Sequence, residues 1–184
     1  MNLTNYVIAK TASLPPIKAQ MYEYIIGGNG IFIRAKREGL TVVAPLAEIP
    51  IRGLASVESK FILDYPKVPK YLVQKILDIS QQVAPLEIVF NLDFSNQQWY
   101  LEIPTQQANS TQVTWHQSDS KNPLIEIHSH HNMDAIFSQT DDFDESGFKI
   151  YAVLGSIFTQ PKIKVRVGIY HQLFWYIPAH YIFE

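Results

Sequence analysis

Residues 21–26 and 31–35 are runs of β-branched and aromatic side chains on either side of Gly27-Gly28-Asn29-Gly30. This is the pattern of a β-hairpin, because Gly and Asn accept positive φ in the turn. Residues 40–43 form a third short strand, and Pro45, Pro50 and Gly53 break up the stretch after it. The rhythm then becomes helical. Val68, Leu72, Ile76, Ile79 and Val83 recur at steps of three and four and make one apolar face, so a helix is predicted over 68–80, with Pro69 in its first turn. Pro85 stops it. Strand patterns resume at 88–94 and 99–103 around a turn at 96–98, and residues 106–121, rich in Gln, Ser, Thr and Asn, read as a polar loop. Residues 124–127, 149–154, 163–168 and 173–177 are four more strands. The expected organisation is a β-rich N-terminal extension over residues 1–58 and a mixed α and β domain over 59–184. The extension's apolar and aromatic side chains, among them Tyr22, Tyr24, Ile31 and Phe32, are expected to pack on that domain and to restrict its substrate.

Composition narrows the chemistry. Of 184 residues, 47% are hydrophobic and 17% charged, enough to bury a core and too apolar for a disordered chain. Fifteen basic and 17 acidic side chains give a net charge of −2, with no basic block of the kind that nucleic acid or an anionic membrane would select. There is no cysteine, which excludes disulfides and thiol catalysis and leaves only N and O ligands for a metal. No signal pattern opens the sequence and no apolar run reaches bilayer length, so the cytoplasm is the expected compartment. The glycine-rich turn lacks the P-loop lysine and a following helix, and reads as a turn.

The candidate chemistry sits in one segment, where His128, His130, Ser138 and Asp141 are spaced His-x-His-x7-Ser-x2-Asp. On an extended chain residues i and i+2 point to the same side, so both imidazoles can reach one ion. Asp141 returns to them from a loop or short helix. Two imidazoles and a carboxylate suit zinc, with a fourth position open for water. Asp142 could replace Asp141 if the loop register shifts, and Asp142, Asp144 and Glu145 otherwise read as a solvated acidic turn. His131 reads as a loop residue, and His116, His171 and His180 as surface or internally satisfied histidines.

This spacing resembles the signature of the JAMM metalloproteases, the catalytically competent branch of the MPN domains. The resemblance implies an α+β fold, a mixed β-sheet flanked by helices, with Zn2+ on His128, His130 and Asp141 and a glutamate from the strand that follows the first long helix. Ala84-Pro85-Leu86-Glu87 fits that junction, so Glu87 is the expected general base; Glu126, on the same strand face as His128, and Glu23, before an apolar strand with glycines, are its competitors. Ser138 is implied as the donor to the oxyanion. Many family members carry proline after the second histidine, where this chain has His131. Residues 25–34 and 138–144 also resemble the bacterial PRTRC system protein A group, which implies a ThiS-like, ubiquitin-fold protein as substrate and a ThiF-like activating enzyme as a further partner. The implied reaction is hydrolysis of an amide or isopeptide bond after the C-terminal Gly-Gly of that protein. An inert MPN-type interaction module and a hydrolase of non-protein amides are the alternatives.

Overall fold

The computed structural model describes residues 2–108, 113–115 and 122–184. The chain divides into two compact units, Met1–Asp64 and Tyr65–Glu184. Among the described residues no helix is long and apolar enough to cross a membrane.

The N-terminal unit is a five-stranded sheet, β1 (Thr4–Ile8), β2 (Tyr22–Gly27), β3 (Gly30–Arg37), β4 (Leu40–Glu48) and β5 (Lys60–Leu63), in that spatial order. The sheet thus runs past Ser59, and β1 pairs with β2 in parallel. The predicted hairpin joins β2 to β3, but positive φ falls on Gly30 (153°) rather than on Asn29. Asn29 works through its side chain instead. It donates to the Val57 carbonyl at 3.0 Å and accepts from the Val57 N–H at 2.8 Å. A Cβ on Gly28 would lie 2.3 Å from the Leu54 carbonyl oxygen, so the glycine serves this close approach. The strand expected at 40–43 continues through Pro45 to Glu48. A register shift opposite Ile31 and Phe32 places Phe32 against Pro45 and Ile31 against Ala47, and such a bulge tolerates a residue that cannot donate to the ladder.

The C-terminal unit begins with α1 (Lys70–Val83). Pro69 is its N-cap rather than a first-turn residue, and Val68 bridges to Phe183 before the helix starts. The buried stripe is Leu72, Ile76 and Ser80, not Ile79 and Val83; the Ser80 hydroxyl tolerates burial because it donates to the Ile76 carbonyl at 2.8 Å. Then come β6 (Val89–Ser95) and β7 (Gln98–Glu102), joined by Asn96 and Gln97 at φ 47° and 62°, the left-handed pair that a two-residue hairpin turn requires. The segment read as a polar loop contains a small ladder, β8 (Gln106–Ala108) with β9 (Val113–Trp115), where Val, Thr and Trp favour extended pairing. The rest of that segment, His116 included, lies outside the described residues.

β10 (Ile125–Ser129), the short helix α2 (Gln139–Asp144), β11 (Phe148–Gly155), β12 (Lys162–Ile169) and β13 (Leu173–Ile177) complete the unit, with a 3-10 turn at Ala179–Tyr181. The main sheet has the order β13-β12-β11-β10-β6-β7 and is antiparallel except for β10 against β11. One face of its centre is apolar, built from Ile125 and Ile127 on β10, Ile150 and Ala152 on β11, and Val165 and Val167 on β12, all at most 1% exposed. The opposite face carries Glu126 and His128, Tyr151, and Arg166 in register. Chemistry therefore projects from the second face of a sheet whose first face is core.

Candidate metal centre

His128 and His130 follow the strand alternation that the sequence predicts. Their rings lie 4.9 Å apart between centroids, and Ser129 between them points to the core face. His128 Nε2 is buried and has no hydrogen-bond partner among the described residues; Asp141 Oδ1 is 3.4 Å away. Two ligands bound about 2.0–2.1 Å from one tetrahedral ion sit about 3.3 Å from each other. Donor atoms of His128, His130 and Asp141 all lie within 4.8 Å of one another. An orphaned ring nitrogen facing a carboxylate at the tetrahedral edge distance is what a zinc site requires, so the donor set fits the ion.

Asp141 is delivered by a capping box, which gives the Ser-x2-Asp spacing a physical reason. Ser138 is the N-cap of α2; its hydroxyl accepts from the Asp141 N–H at 3.2 Å, and its own N–H donates to Asp141 Oδ2 at 2.5 Å. One carboxylate oxygen is thereby held by the helix start and the other is turned toward His128. Burial opposes the Asp141 charge, but the contact with His128 and the Ser138 N–H outweigh it and hold the carboxyl well below its usual range. Burial likewise opposes a charge on His128, and Asp141, Glu145 and Glu87 together override it and raise this imidazole. His130 shifts the other way, lowered by burial and by the neighbouring His128.

Glu87 arrives by sheet register. β6 and β10 pair Val89 with His128, and the ladder continues one step further, with the Ser129 N–H donating to the Ile88 carbonyl at 3.0 Å. The next pair in that series is Glu87 with His130, and Glu87 Oε1 lies 3.8 Å from His130 Nε2. The carboxyl is buried, and burial raises it above its usual range against the opposing pull of His128 and His131. Glu87, His128, His130, Ser138 and Asp141 all line one cavity of about 450 Å³, with Met133 and Ile136 on its wall.

The sequence matches the family described as prokaryotic homologs of the JAB domain over residues 69–170. The chain belongs to that family. The JAB/MPN domain is a zinc JAMM protease in some of its members and inert in others. A solved JAB1/MPN domain protein from Archaeoglobus fulgidus is similar over 62% of this chain and 95% of its own length, at 14% identity and a TM-score of 0.43. No curated protein matches the chain.

The competing glutamates are engaged elsewhere. Glu126 lines the same cavity of the JAB domain but pairs with Lys149 at 2.7 Å, so it does not orient an imidazole. Glu23 is buried in the N-terminal unit on Arg34. Asp142 is turned to Arg166, not to the histidines, and the acidic turn is not uniformly solvated, because Glu145 is 4% exposed and also bound to Arg166. His131 is buried, outside the ligand cluster, with Nε2 unpartnered among the described residues. His171 and His180 are both exposed and make edge contacts with Phe174 and Tyr181. Sequence reasoning missed Arg166. In Lys162-Ile-Lys-Val-Arg-Val it alternates with apolar residues as a solvent-facing arginine would, and nothing local marks that face as covered.

Proposed function

We propose that the protein is a zinc-dependent metallopeptidase or isopeptidase of the JAMM type, acting in the cytoplasm. His128, His130 and Asp141 hold the ion. Bound there, zinc supplies a Lewis acid for the scissile carbonyl and a water acidic enough to be deprotonated near neutral pH. Glu87 would accept a proton from the attacking water on its carboxylate and return it to the departing amine; a carboxyl raised by burial is suited to both halves of the transfer. The Ser138 hydroxyl accepts from the Asp141 N–H and keeps its own proton to donate to the carbonyl oxygen as negative charge gathers on it. Met133 and Ile136 on the cavity wall give the substrate an apolar seat.

The observation that carries this reading is the convergence of the three ligands with a buried carboxylate opposite His130. The proposed substrate is a ubiquitin-fold, ThiS-like protein cut after its C-terminal Gly-Gly, with a ThiF-like activating enzyme as a further partner; the resemblance of residues 25–34 and 138–144 to the PRTRC system protein A group supports it. The test is incubation of the zinc-loaded protein with a ThiS-like protein carrying a C-terminal peptide extension. Cleavage after Gly-Gly that disappears with Glu87→Gln is expected. Intact substrate in the presence of a fully zinc-loaded protein would remove the ThiS-like protein as substrate and leave the inert interaction module and the hydrolase of non-protein amides as the readings.

A further inference from the structure

We propose that Arg166 is a positioning residue for the metal-binding carboxylate, acting on Asp141 through the helix that carries it. The inference rests on the reading that His128, His130 and Asp141 hold zinc. α2 is six residues long and buries none of them, and Phe143 within it is 83% exposed. A helix this short does not hold itself, and it has no apolar side chain anchoring it to the sheet. Phe137 and Ala135 pack on Tyr151 and Val153 just before its N-cap, and from Ser138 onward the ties to the sheet are polar.

Arg166 supplies them at both ends. It sits at the centre of β12, 1% exposed. Its guanidinium carbon lies over the ring of Phe137, the residue just before the N-cap, at 3.9 Å from the centroid, and over the ring of Phe174 at 4.0 Å. Nη1 donates to Asp142 Oδ1 at 2.5 Å within the helix, and Nε donates to Glu145 Oε2 at 2.8 Å at its C-cap. One rigid planar group thus grips the chain before, within and after the turn that bears Asp141. The capping box orients the Asp141 carboxylate relative to the helix; Arg166 orients the helix relative to the strand that bears His128. A lysine's ammonium has three donors but no planar fork, so it cannot lie against both rings while donating to both carboxylates in these directions.

The test is zinc titration by calorimetry of the parent, Arg166→Met and Arg166→Lys, each with and without Asp141→Ala. Loss of a group that orients a metal ligand typically weakens binding ten- to a hundredfold. That loss is expected for Arg166→Met in the parent background, with Arg166→Lys failing to restore it. In the Asp141→Ala background the same substitution should change the zinc Kd by no more than about twofold, because the residue it positions is already gone. Equal weakening in both backgrounds would overturn the proposal in favour of a general packing role, and unchanged affinity in the parent background would overturn it outright. If Arg166→Met does not fold, Asp142→Asn removes one arm of the grip from the surface side; expected is a smaller weakening, again absent without Asp141, and parent affinity would count against the grip. A parent that binds no zinc would overturn the metal reading itself, a result distinct from all of these.

Discussion

Glu23–Arg34 in the N-terminal unit and Glu145–Arg166 in the C-terminal unit are both buried glutamate–arginine pairs, yet they are completed differently. Glu23 Oε2 accepts from Arg34 Nε at 2.7 Å, and Oε1 accepts from Asn5 Nδ2 and from the N–H groups of Lys18 and Ala19. Arg34 also donates to the Pro15 carbonyl, so the pair ties the connection before β2 onto the sheet. Glu145 has only Oε2 engaged; its Oε1 and Arg166 Nη2 are buried without partners among the described residues. The other buried side-chain atoms left unpaired among the described residues are Nε2 of His128 and Nε2 of His131. The unsatisfied polar groups therefore gather around the metal centre and not in the N-terminal sheet. Unpaired buried groups cost about 1–3 kcal/mol each. A fold that completes Glu23 so fully and leaves these atoms open has them where a ligand can use them.

The largest expected effect lies at the site. Glu87→Gln keeps the shape of the side chain and removes its basicity, so turnover should fall by about 10²–10⁴-fold while bound zinc stays at the parent level. Turnover that survives Glu87→Gln but not Glu126→Gln would move the base to the other carboxylate, despite its bond to Lys149. The next effect sets the two pairs against each other. Glu23→Gln leaves Arg34 buried without a counter-charge and should cost the N-terminal unit about 3 kcal/mol, read by native-state hydrogen exchange in β2 and β3. Glu145→Gln should cost clearly less than Glu23→Gln in the metal-free protein, because Arg166 keeps Asp142 as a counter-charge. Comparable losses from both substitutions would erase the distinction.

The last contrast is in pH dependence, where the two glutamates should carry opposite signs. Burial works against the Glu23 charge, but the Lys18 N–H, Asn5 and Arg34 outweigh it and lower the carboxyl. Its stabilising contribution is present above the unfolded value of about 4.3 and is lost on acidification through the lower folded value. Glu145 is pushed up to about 7, chiefly by burial that Arg166 only partly offsets. Its contribution is complete below about 4 and disappears as pH rises through 7, by at most about 1.4 kcal/mol for each unit in that window. In the metal-free protein Glu145→Gln should flatten the decline between about pH 4 and 7 seen by hydrogen exchange in β11 and β12. Parallel curves for parent and variant would contradict this assignment.

Much of the fold and the site is legible in the sequence because the signals are local. The apolar strand runs, the three- and four-residue steps before Pro85, and the His-x-His alternation each depend on neighbours a few residues apart. The Ser-x2-Asp spacing is legible too, and the capping box explains why the serine and the aspartate stand three apart. β1 and β5 escape such a reading because their apolar runs, Tyr6-Val7-Ile8 and Phe61-Ile62-Leu63, are too short to signal a strand without the pairing to β2 and β4. Arg166 is hidden for a similar reason. Alternation along β12 shows which face a side chain takes, and the covering of that face by Phe137 and α2 comes from a segment about twenty residues or more away in sequence.

The most direct test of the central claim is metal analysis of the purified protein beside its His128→Ala, His130→Ala double variant. About one zinc per chain in the parent, absent from a double variant that keeps its folded spectrum, is the predicted result. Unchanged zinc stoichiometry in the double variant would contradict the site, and with it the roles of Asp141, Glu87 and Ser138.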